Sequence, residues 1–266
     1  MREICRAVVV ALIAGAATEQ GWGNSQPPVE RDGSAPGQPS LADAQSLFYN
    51  ARYEASATLA LALVSADMED LVTVELRTSA LLFQLKRLLE GPVDRLEKDK
   101  TDKGTREKER ENTLKNCVTC PELIAQFLTD FRRGQNLARA ALRTDPADES
   151  ALFFLGKLDL NYVWLQLGPL RRKTGWDEYW EARHALDAVL KANPRHVRAR
   201  VARAWIDYIV DTRMPWGTRW LLGGGDRKQA LVDVRAAAQM ESDELAKLQQ
   251  SGQCGAVQDV IQSPGI

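Results

Sequence analysis

Two segments of this chain end in the same way, and that likeness constrains the fold more than any other feature. Ala138-Arg-Ala-Ala-Leu142-Arg-Thr-Asp-Pro146 aligns with Leu186-Asp-Ala-Val-Leu190-Lys-Ala-Asn-Pro194. Each reads as an amphipathic helix end of small and apolar residues closed by Asp-Pro or Asn-Pro. Proline cannot continue a helix and pushes the residue before it out of the α region. A new helix is expected after each proline, the first at Asp148-Glu-Ser-Ala-Leu-Phe-Phe-Leu155-Gly156 with Asp148 as N-cap.

Alanine and leucine abound, and stretches of alternating apolar residues of strand length are nearly absent. The expectation is therefore an all-α chain. Its 266 residues suffice for one large or two small domains. The net charge is −1, from 35 basic and 36 acidic residues. There is no bulk electrostatic case for nucleic acid or a membrane surface.

The Leu155-Gly156 pair, followed by Glu181-Ala182 and by Leu186 ahead of Pro194, resembles the tetratricopeptide repeat. The resemblance implies a solenoid of helical hairpins whose glycine lets paired helices approach and whose small residue receives the neighbour's knob. Pro146 and Pro194 are 48 positions apart, whereas the repeat spans about 34. The surplus lies between the paired helices, around Leu167-Gly-Pro-Leu-Arg-Arg-Lys-Thr-Gly175. Tyr162 and Trp164 imply that the first helix runs on past its usual end. The expected fold is an all-α, degenerate tetratricopeptide-like hairpin solenoid with an insertion between paired helices, covering residues 41–248.

Ahead of it, Met1-Arg-Glu-Ile-Cys-Arg6 and the apolar run Ala7 to Ala17 read as a secretory signal peptide within residues 1–20. That run is too short to span a bilayer permanently, so no integral span is expected after its removal. Residues 21–40, rich in Pro, Gly and Ser, read as a flexible linker. Helices are expected over Leu41 to Asn50, with a turn near Asn50, over Tyr53 to Leu63, and over Met68 to Leu89. The last carries an apolar face of Leu71, Val74, Leu76, Ala80, Leu81, Phe83, Leu85 and Leu88. Residues 92–116 hold a mixed-charge run with one apolar residue, Leu96, between Asp94 and Asn112; it reads as a solvated loop. Further helices are expected over Pro121 to Arg143, Asp177 to Ala192, Val197 to Asp211 and Arg227 to Met240, the last capped by Asp226. Residues 249–266 read as a disordered tail.

Three features bear on function. Cys117-Val-Thr-Cys120-Pro121 places two thiols before a helix N-terminus, where thiol pKa values fall. A c-type haem site needs histidine after the second cysteine, and proline stands there. Zinc needs about four ligands, and only Cys254, His184 and His196 are on offer besides the pair, so no metal site is expected. A thioredoxin-like site needs a βαβ context that is missing. The weight falls on a structural disulfide in an oxidising compartment, with redox catalysis behind it.

Six tryptophans lie beyond the N-terminal segment: Trp164, Trp176, Trp180, Trp205, Trp216 and Trp220. Some belong to helix cores. Trp176, Trp216 and Trp220 lie in or beside glycine-containing loops, and such loops bind ligands or pack as lids. The insertion and the loop Met214 to Gly225 are expected to fold over the array and wall off a groove. Finally, Asp159 and Asn161 interrupt one apolar helix, and Asp207 and Asp211 flank Tyr208-Ile-Val in another. A buried carboxylate needs a partner, and nearby arginines such as Arg203 and Arg219 are the expected ones. These charges read either as ion pairs that fix helix register or as the floor of a groove.

His184 and His196 lack a nucleophile motif, and Gly223-Gly-Gly-Asp-Arg-Lys is not a phosphate loop. No catalytic residue and no cofactor is therefore expected. The resemblance implies a periplasmic or secreted scaffold whose groove holds a protein or peptide. The alternative is a solute-binding accessory component of a transporter that takes a small anionic ligand.

Overall fold

A computed structural model describes residues 40–65, 70–90, 113–170, 172, 174–214 and 216–250. The expected signal peptide, the linker before Ser40, the charged run between 94 and 112 and the tail beyond 250 lie outside the described residues; residues 113–116, expected as part of a loop, form a helical turn. The described chain is helical, with no strand among its residues. The helices are α1 (Leu41–Tyr49), α2 (Tyr53–Ser65), α3 (Leu71–Glu90), α4 (Cys120–Thr144), α5 (Glu149–Leu167), α6 (Trp176–Ala192), α7 (Val197–Arg213) and α8 (Arg227–Gln250), with a 3-10 helix over Trp216–Leu222 between α7 and α8. α8 runs to Gln250, slightly past the expected start of the tail.

The likeness between the two proline links extends to atomic detail. Asp145 N–H donates to Ala141 O, and Asn193 N–H to Val189 O. Asp145 Oδ1 then accepts from Ala147 N at 2.9 Å, and Asn193 Oδ1 from Arg195 N at 3.1 Å. The next helices are capped alike: Asp148 Oδ1 accepts from Ala151 N at 2.9 Å, and His196 Nδ1 from Ala199 N at 3.1 Å. Each link is thus a helix stop, an Asx turn and an N-cap in the same register.

Every helix packs on the next one in sequence, α1 through α8, and α3 also packs on α1 and α5. α3 is consequently enclosed: all ten positions from Thr73 to Leu82 are buried. Helices α4 and α5 cross at Gly134, where an added Cβ would lie 2.6 Å from Leu158 Cδ1 and 3.0 Å from Val74 Cγ1. Gly156 brings α5 against α6, since a Cβ there would sit 3.0 Å from Leu186 Cγ and 3.3 Å from Ala182 O. Gly156, Ala182 and Leu186 are the positions read from the sequence; Gly134 is not among them.

The apolar face expected of α3 needs one correction. Phe83 and Leu88 are exposed. The enclosing helices cover the N-terminal half of α3, and toward its C-terminus Phe83 instead joins an aromatic cluster with Phe48 and Tyr53, at ring distances of 5.5 and 5.3 Å. In the enclosed half, polar residues become core residues. Arg77 pairs with Asp130, and its Nε and Nη2 donate to Ala57 O at 3.3 Å and Gln126 Oε1 at 3.2 Å. Asn161 Nδ2 donates to Ser79 Oγ at 3.0 Å, and Ser79 Oγ donates to Glu75 Oε1 at 2.7 Å. Each buried polar group removed from water needs such a partner.

Candidate functional site

The aromatic residues read from the sequence separate into sets. Trp164, near the end of α5, reaches Trp205 of α7 with ring centroids 6.3 Å apart. Trp205 stacks on Tyr208 at 5.5 Å with planes 6° apart. The spacing of three residues puts these two rings on one face of α7. Trp164 is half-buried against both core clusters, whereas Trp205 is 36% exposed. The set is therefore anchored in the core on one side and open to solvent on the other. Trp180 belongs elsewhere: it packs edge-on to Tyr179 at 5.4 Å and stacks on His184 at 5.7 Å, all on α6. Trp176 is 43% and Trp220 72% exposed. Trp216 opens the 3-10 helix, and its side chain lies outside the described residues.

The loop after α7 is strapped to α6 and α7. Tyr179 Oη donates to Leu222 O at 2.8 Å. Arg183 donates to Leu222 O at 3.3 Å and Gly223 O at 3.0 Å, and its Nη1 meets Asp207 Oδ1 at 3.2 Å. Gly225 lies on the backbone of α7, where a Cβ would fall 2.6 Å from Asp207 O and 2.7 Å from Asp211 N. Leu222 is buried by this strap while Leu221 and Trp220 face solvent. The sequence reading did not identify Tyr179 or Arg183. Their partners lie about 40 residues downstream, and nothing local marks them.

The charged residues form ion pairs. Arg203 joins two carboxylates, Asp187 at 2.7 Å and Asp207 at 2.6 Å. Arg219 binds Asp211 Oδ1 at 2.5 Å and Met214 O at 3.1 Å, and Arg227 approaches Asp211 Oδ2 at 3.6 Å. Hydrogen bonds to these carboxylates hold the Arg203 guanidinium pKa above its ordinary value despite burial. Asp207, Asp211, Arg203 and Arg219 thus tie α7 to α6 and to the 3-10 helix.

Asp159 is different. It is fully buried on α5, and its Oδ1 accepts from Gln135 Nε2 of α4 at 2.7 Å. The nearby arginine, Arg139, forks onto Glu181 of α6 instead, at 2.6 and 3.3 Å. The arginines expected as partners, Arg203 and Arg219, pair with Asp187, Asp207 and Asp211 instead, and Arg139 is committed to Glu181. Burial, and then the negative charge of Glu181, push the Asp159 carboxyl up to about 9; the Gln135 hydrogen bond pulls the other way. At neutral pH Asp159 is a carboxylic acid at the junction of three helices.

Cys117 and Cys120 form a disulfide with Cα atoms 5.4 Å apart. Cys120, the first residue of α4, is fully buried, and Cys117 is half-buried. Among the described residues no group of three or more His, Cys, Asp or Glu side chains is placed to hold a metal ion. No described helix is long and apolar enough to cross a membrane. A shallow, open depression of about 480 Å3 lies on α4, lined by Thr129, Arg132, Arg133, Asn136 and Leu137, none of them a residue read from the sequence.

The chain matches no family model, no curated protein and no solved structure at a significant level.

Proposed function

We propose that the chain is a tetratricopeptide-like array of helical hairpins, exported to the cell envelope, that holds a protein or peptide partner on the face carrying Trp164, Trp205 and Tyr208. The observation that carries this reading is the way odd-numbered helices meet. α3 touches both α1 and α5 besides its sequence neighbours, and Trp164 of α5 reaches Trp205 of α7. Side-by-side first helices line the inner surface of such arrays, and extended concave surfaces are how repeat proteins bind. The Gly156–Ala182–Leu186 contact supports the same assignment.

The chemistry of the face favours a polypeptide over a small anion. Arg203 and Arg219 are bound to carboxylates, so their charge is already neutralised. Large aromatic rings with one side in the core and one in solvent are the residue type that dominates polypeptide interfaces. The disulfide supports an oxidising compartment, in keeping with export.

Native mass spectrometry of the protein isolated from its own envelope fraction tests the proposal. A bound polypeptide is expected, lost on Trp205→Ala and kept on Trp180→Ala. A retained small anionic mass without polypeptide would overturn it and favour the transporter-accessory reading.

A further inference from the structure

The Cys117–Cys120 bridge has features that a purely structural staple does not need. It closes a ring across a sequence separation of only three residues. A bridge this short removes little freedom from the unfolded chain compared with one across a long loop. Its stabilising effect as a staple is accordingly small.

Its two sulfurs are not equivalent. Cys120 is fully buried within the core of α3, α4 and α5, alongside Phe127 and Leu85. Cys117 is half-buried, and the two residues between them face outward, with Val118 92% exposed. A thiolate arriving from solvent therefore meets Cys117. The other sulfur sits at the first turn of α4. There the N-cap residue Thr119 makes no side-chain cap hydrogen bond, and a helix N-terminus favours negative charge at its end. Because apolar surroundings disfavour a thiolate, the departing Cys120 sulfur takes up a proton as the bond breaks.

The segment that the bridge holds is also specific. A helical turn over residues 113–116 precedes Cys117, and Leu114 packs with Cys117 on the core cluster beneath. Cys117 N–H closes onto Leu114 O at 3.4 Å.

We propose that Cys117–Cys120 is a redox-sensitive clip, reduced in the folded protein by a dithiol donor that attacks Cys117, so that residues 113–119 are released from the N-terminus of α4. In the first step a donor thiolate bonds to Cys117 Sγ while the Cys117–Cys120 bond breaks and its electron pair leaves on Cys120 Sγ, which takes up a proton. In the second step the donor's other thiolate attacks the donor sulfur of the mixed disulfide. The Cys117 thiolate departs and is protonated, and the donor becomes a disulfide. Two electrons pass from donor to clip, and oxidation by a disulfide of the same class reverses both steps.

The test equilibrates the full chain, with Cys5→Ser and Cys254→Ser, against graded ratios of reduced and oxidised dithiothreitol. Thiols are trapped by alkylation and mapped by mass, and peptide-resolved hydrogen exchange is measured at each end point. The expected result is reversible reduction without loss of helical circular dichroism. Cys117 should alkylate at least about tenfold faster than Cys120, because reactivity follows exposure. Faster exchange should be confined to residues 113–123. Reduction only in denaturant would overturn the proposal, as would equal reactivity of the two thiols or loss of protection throughout α3–α5. A second measurement does not depend on the reduced form. Cys120→Ser, mixed with oxidised glutathione, should accumulate a mixed disulfide at Cys117, whereas Cys117→Ser should leave the buried Cys120 unmodified. Equal modification of both variants would refute attack at Cys117.

Discussion

Replacing Asp159 by asparagine tests the assignment of a neutral carboxylic acid at the α4–α5–α6 junction. The carboxyl sits at about 9 in the folded chain against an ordinary 3.8. Between those values the folded state keeps a proton that the unfolded chain has released, so stability falls as pH rises. The contribution is complete below about pH 4 and is lost by about pH 9. The slope in between is about 1.4 kcal/mol per pH unit, which amounts to at most about 7 kcal/mol. At pH 8 the accumulated cost is on the order of 5 kcal/mol, a large part of the 5–15 kcal/mol that holds a typical domain together. Asparagine is neutral at every pH and nearly the same size. Its oxygen can accept from Gln135 Nε2, as Asp159 Oδ1 does at 2.7 Å. Allowing about 1–3 kcal/mol for burying the amide, Asp159→Asn should be the more stable protein at pH 8 by about 3 kcal/mol. The advantage should shrink and reverse near pH 5. Urea titrations of both proteins at pH 5, 6, 7 and 8 measure this directly, provided the denaturant slopes agree. Parallel stability–pH curves would refute the reasoning, because they would mean that Asp159 is ionised in both states.

Other contacts carry predictions of comparable size. Gly156→Ala puts a methyl 3.0 Å from Leu186 Cγ and 3.3 Å from Ala182 O. It should cost about 1–3 kcal/mol in urea unfolding, while Gly217→Ala, which meets nothing within 4 Å, should be near neutral. Arg77→Ala strands Asp130 in the core and should cost about 3–5 kcal/mol, whereas Arg77→Met with Asp130→Leu should recover most of it. Tyr179→Phe removes the donor to Leu222 O; it should cost about 1 kcal/mol and speed hydrogen exchange in the 3-10 helix more than in α6.

The parts of the fold that could be read from the sequence are those set by neighbours in sequence. Asp145-Pro146 and Asn193-Pro194 stop helices by local sterics, and their side chains complete turns within two residues. Asp148 and Asp226 cap helices for the same local reason, Asp226 by accepting from Lys228 N and Gln229 N. Gly156 could be read because the motif it belongs to is itself a packing rule. The polar core of α3 could not. Glu75, Arg77, Thr78 and Ser79 look like the solvent face of an amphipathic helix until helices far along the chain enclose them. Nothing local signals that Asn161, more than 80 residues away, completes their hydrogen bonds. The candidate site divides along the same line. Trp205 and Tyr208 share a helix face by spacing, but the union with Trp164 and the separate place of Trp180 depend on how α5, α6 and α7 cross.

The ion pairs decide what the aromatic face has to offer. Had Arg203 and Arg219 been unpaired beside Trp205, an anion would be the natural ligand of this end of the molecule. Arg203 instead bridges Asp187 and Asp207, and Arg219 is held by Asp211 and Met214 O. Both guanidinium groups are engaged in fixing α6, α7 and the 3-10 helix in one relative position. Arg183 adds to this by holding both Asp207 and the glycine loop. That network braces this end of the helical chain, so Trp164, Trp205 and Tyr208 are presented with little side-chain freedom left to lose. Pre-organised aromatic groups of this kind favour binding because less ordering is required on association. Arg183→Ala should therefore weaken partner binding without touching the aromatic face, and it should do so by raising the dissociation rate. Surface plasmon resonance with the isolated partner separates the two rates. An unchanged dissociation rate would mean that the strap holds the fold alone and has no part in presenting the site.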